Sequence, residues 1–151
     1  MIRMFVALGG FFLLALLTAC AAESKPVVII DKPVTVTLPV EESVRKAGFI
    51  LLQLEQVTAP KSASATWNMF LELPAADART SVHSPNFAGY VTTVPNPTAA
   101  TNPPKGMTLQ VPDAAAKLIR NLREVRLTFV PAGKLAGDGV RIGGVRIEPG
   151  Q

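Results

Sequence analysis

Apolar and polar side chains alternate along much of the chain from residue 34 onward. A period of two is typical of β-strands that bury one face. These alternating runs end at prolines, glycines or polar clusters, as strands do. Their apolar positions are Val34, Val36 and Leu38; Ile50, Leu52 and Leu54; Trp67, Met69, Leu71 and Leu73; and Val125, Leu127 and Phe129.

Two further strands are predicted, over 86–94 and over 107–111, because both stretches are rich in strand-forming residues. Four prolines fall within 95–106, which is therefore predicted to be a surface loop. Residues 59–65 are interpreted as a turn. Residues 41–46 are polar and are interpreted as a connection between strands.

One stretch has the periodicity of a helix, and Asp113 lies where its carboxylate can cap that helix. The sequence therefore predicts one short helix after Pro112. Its apolar positions are Ala115, Leu118, Ile119 and Leu122.

The apolar positions of the last predicted strand change from even to odd numbers at Gly143 and Gly144. A β-bulge at these glycines would keep all the apolar side chains on one face. With glycines 137 and 139, they are assigned to turns and bulges of a C-terminal hairpin. A phosphate-binding loop is not predicted, because no helix follows. The apolar positions are Val140, Ile142, Val145 and Ile147.

Short strands separated by prolines and glycines favour an all-β fold over a parallel sheet. We predict an antiparallel β-sandwich of about seven or eight strands with one short helix. Apolar residues make up 48% of the 151 residues, which is enough to bury a core in one domain of ordinary size. This domain is assigned to residues 34–148.

The N-terminal segment has the pattern of a targeting signal. Residues 4–19 carry no charge, and as a helix they would span roughly 24 Å, less than the roughly 30 Å of a bilayer core. Leu17-Thr18-Ala19-Cys20 resembles the bacterial lipobox, in which cleavage falls just before a cysteine that then carries lipid. We predict a cleaved lipoprotein signal peptide over 1–19 and lipidation of Cys20. The alternative is an uncleaved helical anchor with a chance cysteine.

Lipid on Cys20 would hold the protein at a membrane outside the cytoplasm. Each buried CH₂ contributes about 0.8 kcal/mol, so release of several acyl chains would be slow. Residues 20–33 are then the lipidated cysteine, a tether and a lead-in, and the domain would lie close to the membrane. Ala21 follows the cysteine where an aspartate would resemble an inner-membrane retention signal. In a cell with two membranes, the expected location is the outer membrane, facing the periplasm.

Charge and residue counts exclude several kinds of function. Fifteen Lys and Arg against 11 Asp and Glu give a formal charge of +4, without a basic run that would bind nucleic acid. One cysteine and one histidine exclude an internal disulfide and a multi-histidine metal site within the chain. Glu41-Glu42 is interpreted as a solvated pair. A basic patch would require several C-terminal arginines to share a face: Arg120, Arg123, Arg126, Arg141 and Arg146.

No catalytic residue is assigned, because no serine stands in a nucleophile motif with the histidine, and no cofactor is expected. His83 lies in Ser-Val-His-Ser-Pro, which is typical of a loop. As an alternative, His83 could be a copper ligand with Met107 or Met69, since thioethers suit Cu(I). Met69 has the parity of Trp67 and is expected in the core.

Five segments resemble motifs of the C-terminal domain of tyrosinases and plant polyphenol oxidases. Each motif is short, but their order and spacing agree over residues 34–148. The segments are LLQLEQV at 51–57, FLELP at 70–74, SPNFAGY at 84–90, LTFVP at 127–131 and VRIGGVRI at 140–147.

In that family the domain is a small antiparallel β-sandwich that packs on a helical type-3 copper domain and can cover the mouth of its active site. The copper ligands are histidines of the helical domain, which is not in this sequence. Family members often place a histidine after the "FAG" strand, where this chain has Val94-Pro95-Asn96.

The resemblance implies a non-enzymatic, membrane-anchored module that covers or supports a separately encoded copper oxidase. Two alternatives stay open. One is a copper-handling protein that uses His83 with Met107 or Met69. The other is a structural or ligand-binding envelope lipoprotein without an oxidase partner.

Overall fold

The computed structural model describes residues 26–29, 31–58, 64–94, 104–133 and 139–150. Within them the chain forms nine strands and two short helices, and every strand pairing is antiparallel. The predicted all-β antiparallel fold is therefore confirmed. The elements are β1 (Val27–Ile29), β2 (Val34–Pro39), α1 (Glu42–Lys46), β3 (Ile50–Val57), β4 (Ala65–Leu71), β5 (Phe87–Thr93), β6 (Lys105–Gln110), α2 (Asp113–Ile119), β7 (Glu124–Pro131), β8 (Val140–Ile142) and β9 (Gly144–Pro149).

The strands form two layers. Sheet B, as we call the first layer, has the strand order β2-β7-β4-β5. Sheet C, the second layer, has the order β6-β3-β9 and continues into the β1-β8 pair. The continuation arises because β8 runs directly into β9, and because Thr58, just after β3, bridges Arg141 of β8.

The core lies between the layers and is built from the alternating positions of the strands. The side chains of Ile50, Leu52 and Leu54 are at most 1% exposed, as their period of two predicts. Burying one such side chain contributes about 1.5–3 kcal/mol, so this pattern determines which face each strand turns inward. Trp67 lies fully buried at the centre. The other large side chains that are fully buried between the layers are Ile29, Met69, Leu71, Ile119, Leu127, Phe129 and Ile142.

The helices differ from the prediction in two respects. Residues 42–46, predicted to be a polar connection, form α1, which buries Val44 and carries an exposed ion pair between Lys46 and Glu42. A helix of this length is too short to show periodicity in the sequence. The predicted cap at Asp113 is also wrong. Pro112 occupies the N-cap position, with no side-chain cap hydrogen bond, and Asp113 is the first helical residue.

The C-terminal glycines do not form the predicted hairpin. β8 and β9 are successive parts of one extended run that changes partner at Gly143, since β8 pairs with β1 and β9 with β3. The prediction that the apolar side chains share one face holds, because all are buried. The neighbouring strand bends too, since Gln56 of β3 has a left-handed φ of 49°. The buried side chains are Val140, Ile142, Val145 and Ile147.

Several predicted features lie outside the described residues. These are the signal segment, Cys20, glycine 137, and most of the turn at 59–65 and of the loop at 95–106. In the part of the chain that is described, no helix has the length and hydropathy needed to cross a bilayer. β1 falls within the predicted lead-in, and its Val27 and Ile29 are buried in the core.

Gly143→Ala tests the shared bend of β3 and the β8–β9 run. A Cβ at Gly143 would lie 2.8 Å from the Cβ of Gln56, so the backbones would have to move apart. We expect the free energy of unfolding to fall by about 1–3 kcal/mol, measured by urea titration of Trp67 fluorescence.

Two variants control this measurement. Gly48→Ala places a Cβ where nothing lies within 4 Å, so stability should change by less than about 0.5 kcal/mol. Gln56→Gly removes the opposing Cβ and suits the left-handed φ, so it should restore most of the stability of the Gly143→Ala variant. Equal losses at Gly143 and Gly48 would contradict the close approach.

Candidate interaction surface

The candidate metal ligands lie in different environments. His83 is exposed in the connection between β4 and β5, where its backbone N–H donates to Ser81 Oγ at 3.1 Å. Met107 is half-buried on β6, and Met69 is fully buried in the core. The structure therefore separates the Met69 thioether from the exposed imidazole. Among the described residues, no three His, Cys, Asp or Glu side chains are placed to hold a metal ion.

The five C-terminal arginines do not share one face. Arg126 lies on the outer face of sheet B, where it pairs with Glu72. Arg141 and Arg146 belong to the other layer. Arg120 donates to the backbone oxygen of Gly48 at 3.0 Å. The predicted condition for a single basic patch is therefore not met.

The outer face of sheet C is polar, and acids of β3 and β9 pair there with an arginine of β9. Arg146 forms ion pairs with Glu55 at 2.8 Å and with Glu148 at 2.6 Å. The Thr108 hydroxyl of β6 donates to the Gln53 side chain, which lies opposite it on β3. Solvated pairs of this kind satisfy one another and leave little for a partner to recognise.

The outer face of sheet B is different, because its β4–β5 half carries no charge. Asn68 lies opposite Tyr90, and the Thr66 and Thr92 hydroxyls hydrogen-bond at 2.9 Å. Tyr90 is 61% exposed and Val94 is 75% exposed. We call this area the Tyr90 surface and define it as Thr66, Asn68, Tyr90, Thr92 and Val94.

The composition of the Tyr90 surface is typical of protein interfaces. Tyrosine is enriched in interfaces, because it offers a large amphipathic contact at low cost in conformational entropy. Threonine and asparagine supply short polar groups that need not be desolvated as charges. No pattern in the sequence indicates that these five residues form one surface. The available signal was the outward parity of Tyr90 and Thr92 within a predicted strand.

Another part of this face, around Phe70 and Val130, is covered by residues 73–86, which we call the strap. Leu73 and Ala76 of the strap pack on Phe70 and Val130, which are at most 1% exposed. The rings of Phe70 and Phe87 meet edge to face at a centroid distance of 5.6 Å. Val130 therefore does not point to solvent, although its parity predicted an outward position.

Other deviations from strict alternation lie on or next to this face. Thr128 is fully buried on this face, where its hydroxyl bonds that of Thr35 at 2.9 Å. Leu73 packs with Phe70, Ala76 and Val130 instead of in the main core, because β4 ends at Leu71.

Glu72 immediately precedes the strap and has a left-handed backbone, with φ of 52°. Its N–H still donates to the Arg126 carbonyl at 2.8 Å, as in a continuing ladder. The returning bond is made by the side chain, because Arg126 N–H donates to Glu72 Oε1 at 2.6 Å. The Arg126 guanidinium donates to Oε2 at 2.8 Å. The carboxylate thus takes the place of a backbone carbonyl where the chain leaves the sheet.

This contact also affects protonation. The hydrogen bond from the Arg126 side chain lowers the pKa of Glu72, more than partial burial raises it. The same bond raises the pKa of Arg126. Glu72 therefore stays ionised where the strap starts. The sequence held no signal for this role, because a left-handed glutamate has no pattern of its own.

The strap and the bend at 31–33 enclose an open depression of about 450 Å³. Asp77 shapes its wall, since one carboxylate oxygen accepts from Arg79 N–H at 2.9 Å and from the Thr80 hydroxyl at 3.3 Å. The lining offers no nucleophile beside a base, so it suggests no reaction. The lining residues are Asp31, Pro33, Asp77, Ala78, Arg79, Val130 and Pro131.

Comparison with known proteins gives a likeness of fold. No protein-family model and no curated protein sequence matches the chain. A recombinantly expressed latent aurone synthase, a polyphenol oxidase, aligns with a TM-score of 0.59 and 15% identity over 84% of this chain and 27% of its own. Latent apple tyrosinase aligns with a TM-score of 0.57 and 18% identity over 87% of this chain and 30% of its own.

Latent aurone synthase from its natural source gives a similar result, with a TM-score of 0.56 and 14% identity. The chain thus spans about 27–30% of the length of these structures. At these identities the comparisons show a shared fold. That fold corresponds to a minor part of each oxidase, in line with the motifs of the C-terminal domain.

Replacement of Glu72 tests its role at the start of the strap. Glu72→Ala should lower the free energy of unfolding by about 1–2 kcal/mol, because Arg126 N–H loses its acceptor. Glu72→Gln should cost less, since it keeps an acceptor oxygen and loses the charge. Urea titrations of Trp67 fluorescence measure both changes.

The difference between wild type and Glu72→Gln should depend on pH. The pKa of Glu72 is lower in the folded state, so its contribution is complete above the ordinary value of about 4.3. It should disappear as the pH falls through the folded-state pKa. A difference that stays constant over this acidic range would contradict the lowered pKa.

Proposed function

We propose that this chain is a non-enzymatic, membrane-anchored lipoprotein whose β-sandwich docks on a separate type-3 copper oxidase and covers or supports it. The observation that carries the proposal is the fold. It matches about 27–30% of polyphenol oxidases and a tyrosinase that are described as latent. In those enzymes the fold is part of a longer chain, and here we assign the rest to a second protein.

The Tyr90 surface is the face that we assign to this partner. It is uncharged and carries the most exposed aromatic side chain of the described residues. The outer face of sheet C, in contrast, carries the charged side chains of Glu55, Arg146 and Glu148. Desolvating the Tyr90 surface would therefore cost less than desolvating the opposite face.

The partner, in this proposal, provides the copper chemistry. Within the described residues, no three His, Cys, Asp or Glu side chains are placed to hold a metal ion, His83 is exposed, and Met69 is in the core. This arrangement favours the interaction module over the copper-handling alternative. The anchor is assigned to Cys20, so the complex would form at the membrane surface outside the cytoplasm.

The anchor is tested by the mass of the purified mature protein. We expect an N-terminal Cys20 bearing acyl chains, and loss from the membrane fraction in Cys20→Ser. Intact mass spectrometry and fractionation measure this. An unmodified cysteine, or a Cys20→Ser protein that stays at the membrane through an uncleaved segment, would exclude lipid anchoring.

The partner is tested by purifying the lipoprotein from membranes of cells that also express a type-3 copper oxidase without this fold. We expect the oxidase to co-purify. Tyr90→Asp should weaken binding by at least about tenfold, the usual effect of charging an interface centre. Gln110→Asp adds the same charge on exposed β6 of the opposite layer and should have no effect. Failure to recover an oxidase would refute the proposed partner.

A further inference from the structure

The position of residue 26 limits which part of the domain can meet the membrane. Five residues lie between Cys20 and Pro26 along the sequence, and the six Cα-to-Cα steps reach at most roughly 20 Å. Pro26 leads directly into β1, which pairs with β8 at the margin of the sheet C layer. A lipid on Cys20 therefore keeps this margin within a short distance of the headgroups.

β1, its partner strand β8 and the bend after β1 together carry one exposed apolar side chain and two exposed cations. Val28 is 42% exposed and lies opposite Arg141, which is also exposed. Lys32 is exposed in the bend that follows β1. We call Val28, Lys32 and Arg141 the β1 corner.

The charges of the β1 corner are not neutralised by the described acids. No ion pair joins Lys32 or Arg141 to a carboxylate among the described residues, in contrast to Arg126 and Arg146. Asp31, which precedes Lys32 in the sequence, lines the depression under the strap. Because charges act over about 8–10 Å in physiological salt, cations tethered this close to headgroups would interact with them.

We propose that the β1 corner docks on anionic lipid headgroups, with Lys32 and Arg141 near the phosphates and Val28 at the interface. This inference rests on the proposed lipid anchor at Cys20. It deepens the proposed function, because β1 belongs to the sheet C layer and the Tyr90 surface lies on the outer face of sheet B. Docking through the β1 corner would turn the Tyr90 surface away from the bilayer, towards a partner in the aqueous compartment.

The experiment uses the full lipidated chain in vesicles. Cys20 is the only cysteine of the sequence, so Val28→Cys or Tyr90→Cys gives one free thiol for a fluorescent label. The vesicles contain phosphatidylcholine with a headgroup spin label as quencher, with or without phosphatidylglycerol. We expect stronger quenching at position 28 than at position 90, and a larger difference in the presence of phosphatidylglycerol.

Charge variants test the two cations. Lys32→Gln and Arg141→Gln should each lower the ratio of docked to undocked protein about fivefold on anionic vesicles. Arg123→Gln, an exposed cation at the other end of β2, where its carbonyl accepts from Val40 N–H, should leave it unchanged. Equal quenching at positions 28 and 90, or no effect of either variant, would overturn the docking while leaving the anchor intact. An absence of acyl chains on Cys20, read by mass in the same sample, would overturn both.

Discussion

Packing of two antiparallel layers on one apolar core is the constraint on which the rest of the structure depends. Each strand gives one face to the core around Trp67, so each layer keeps one outer face. The sheet C face carries the Glu55–Arg146–Glu148 network. The sheet B face is divided between the strap and the uncharged Tyr90 surface. The charged network and the uncharged Tyr90 surface therefore differ in the cost of removing water. The proposed function rests on this difference.

The strands were predictable because burial imposes a period of two on the sequence. Ile50, Leu52 and Leu54 show this period and are buried accordingly. The exceptions arise where a second layer of packing or a change of partner intervenes. Val130 is buried on the outer face because the strap covers it, and the run after Val140 changes sheets at Gly143. The covered residue shows in the sequence only as an apolar side chain at an outward position, and the change of sheets shows only as the change of parity at Gly143, which does not reveal the new partner strand.

The candidate site was less predictable, for related reasons. Tyr90 lies in a predicted strand, but its importance depends on which neighbours carry no charge, and that is a property of strand register. Glu72 replaces a backbone acceptor only because its φ is left-handed. His83 and the methionines are candidate copper ligands in the sequence because imidazoles and thioethers bind copper. The structure separates Met69 from His83 by placing it in the core.

Hydroxyl-radical footprinting of this chain in the proposed complex with a type-3 copper oxidase tests the central claim most directly. It reports side-chain exposure on both outer faces at once. The account predicts that modification of Tyr90 falls on binding, while that of Leu51, on the outer face of sheet C, stays the same. Protection of Leu51 with unchanged modification of Tyr90 would contradict it.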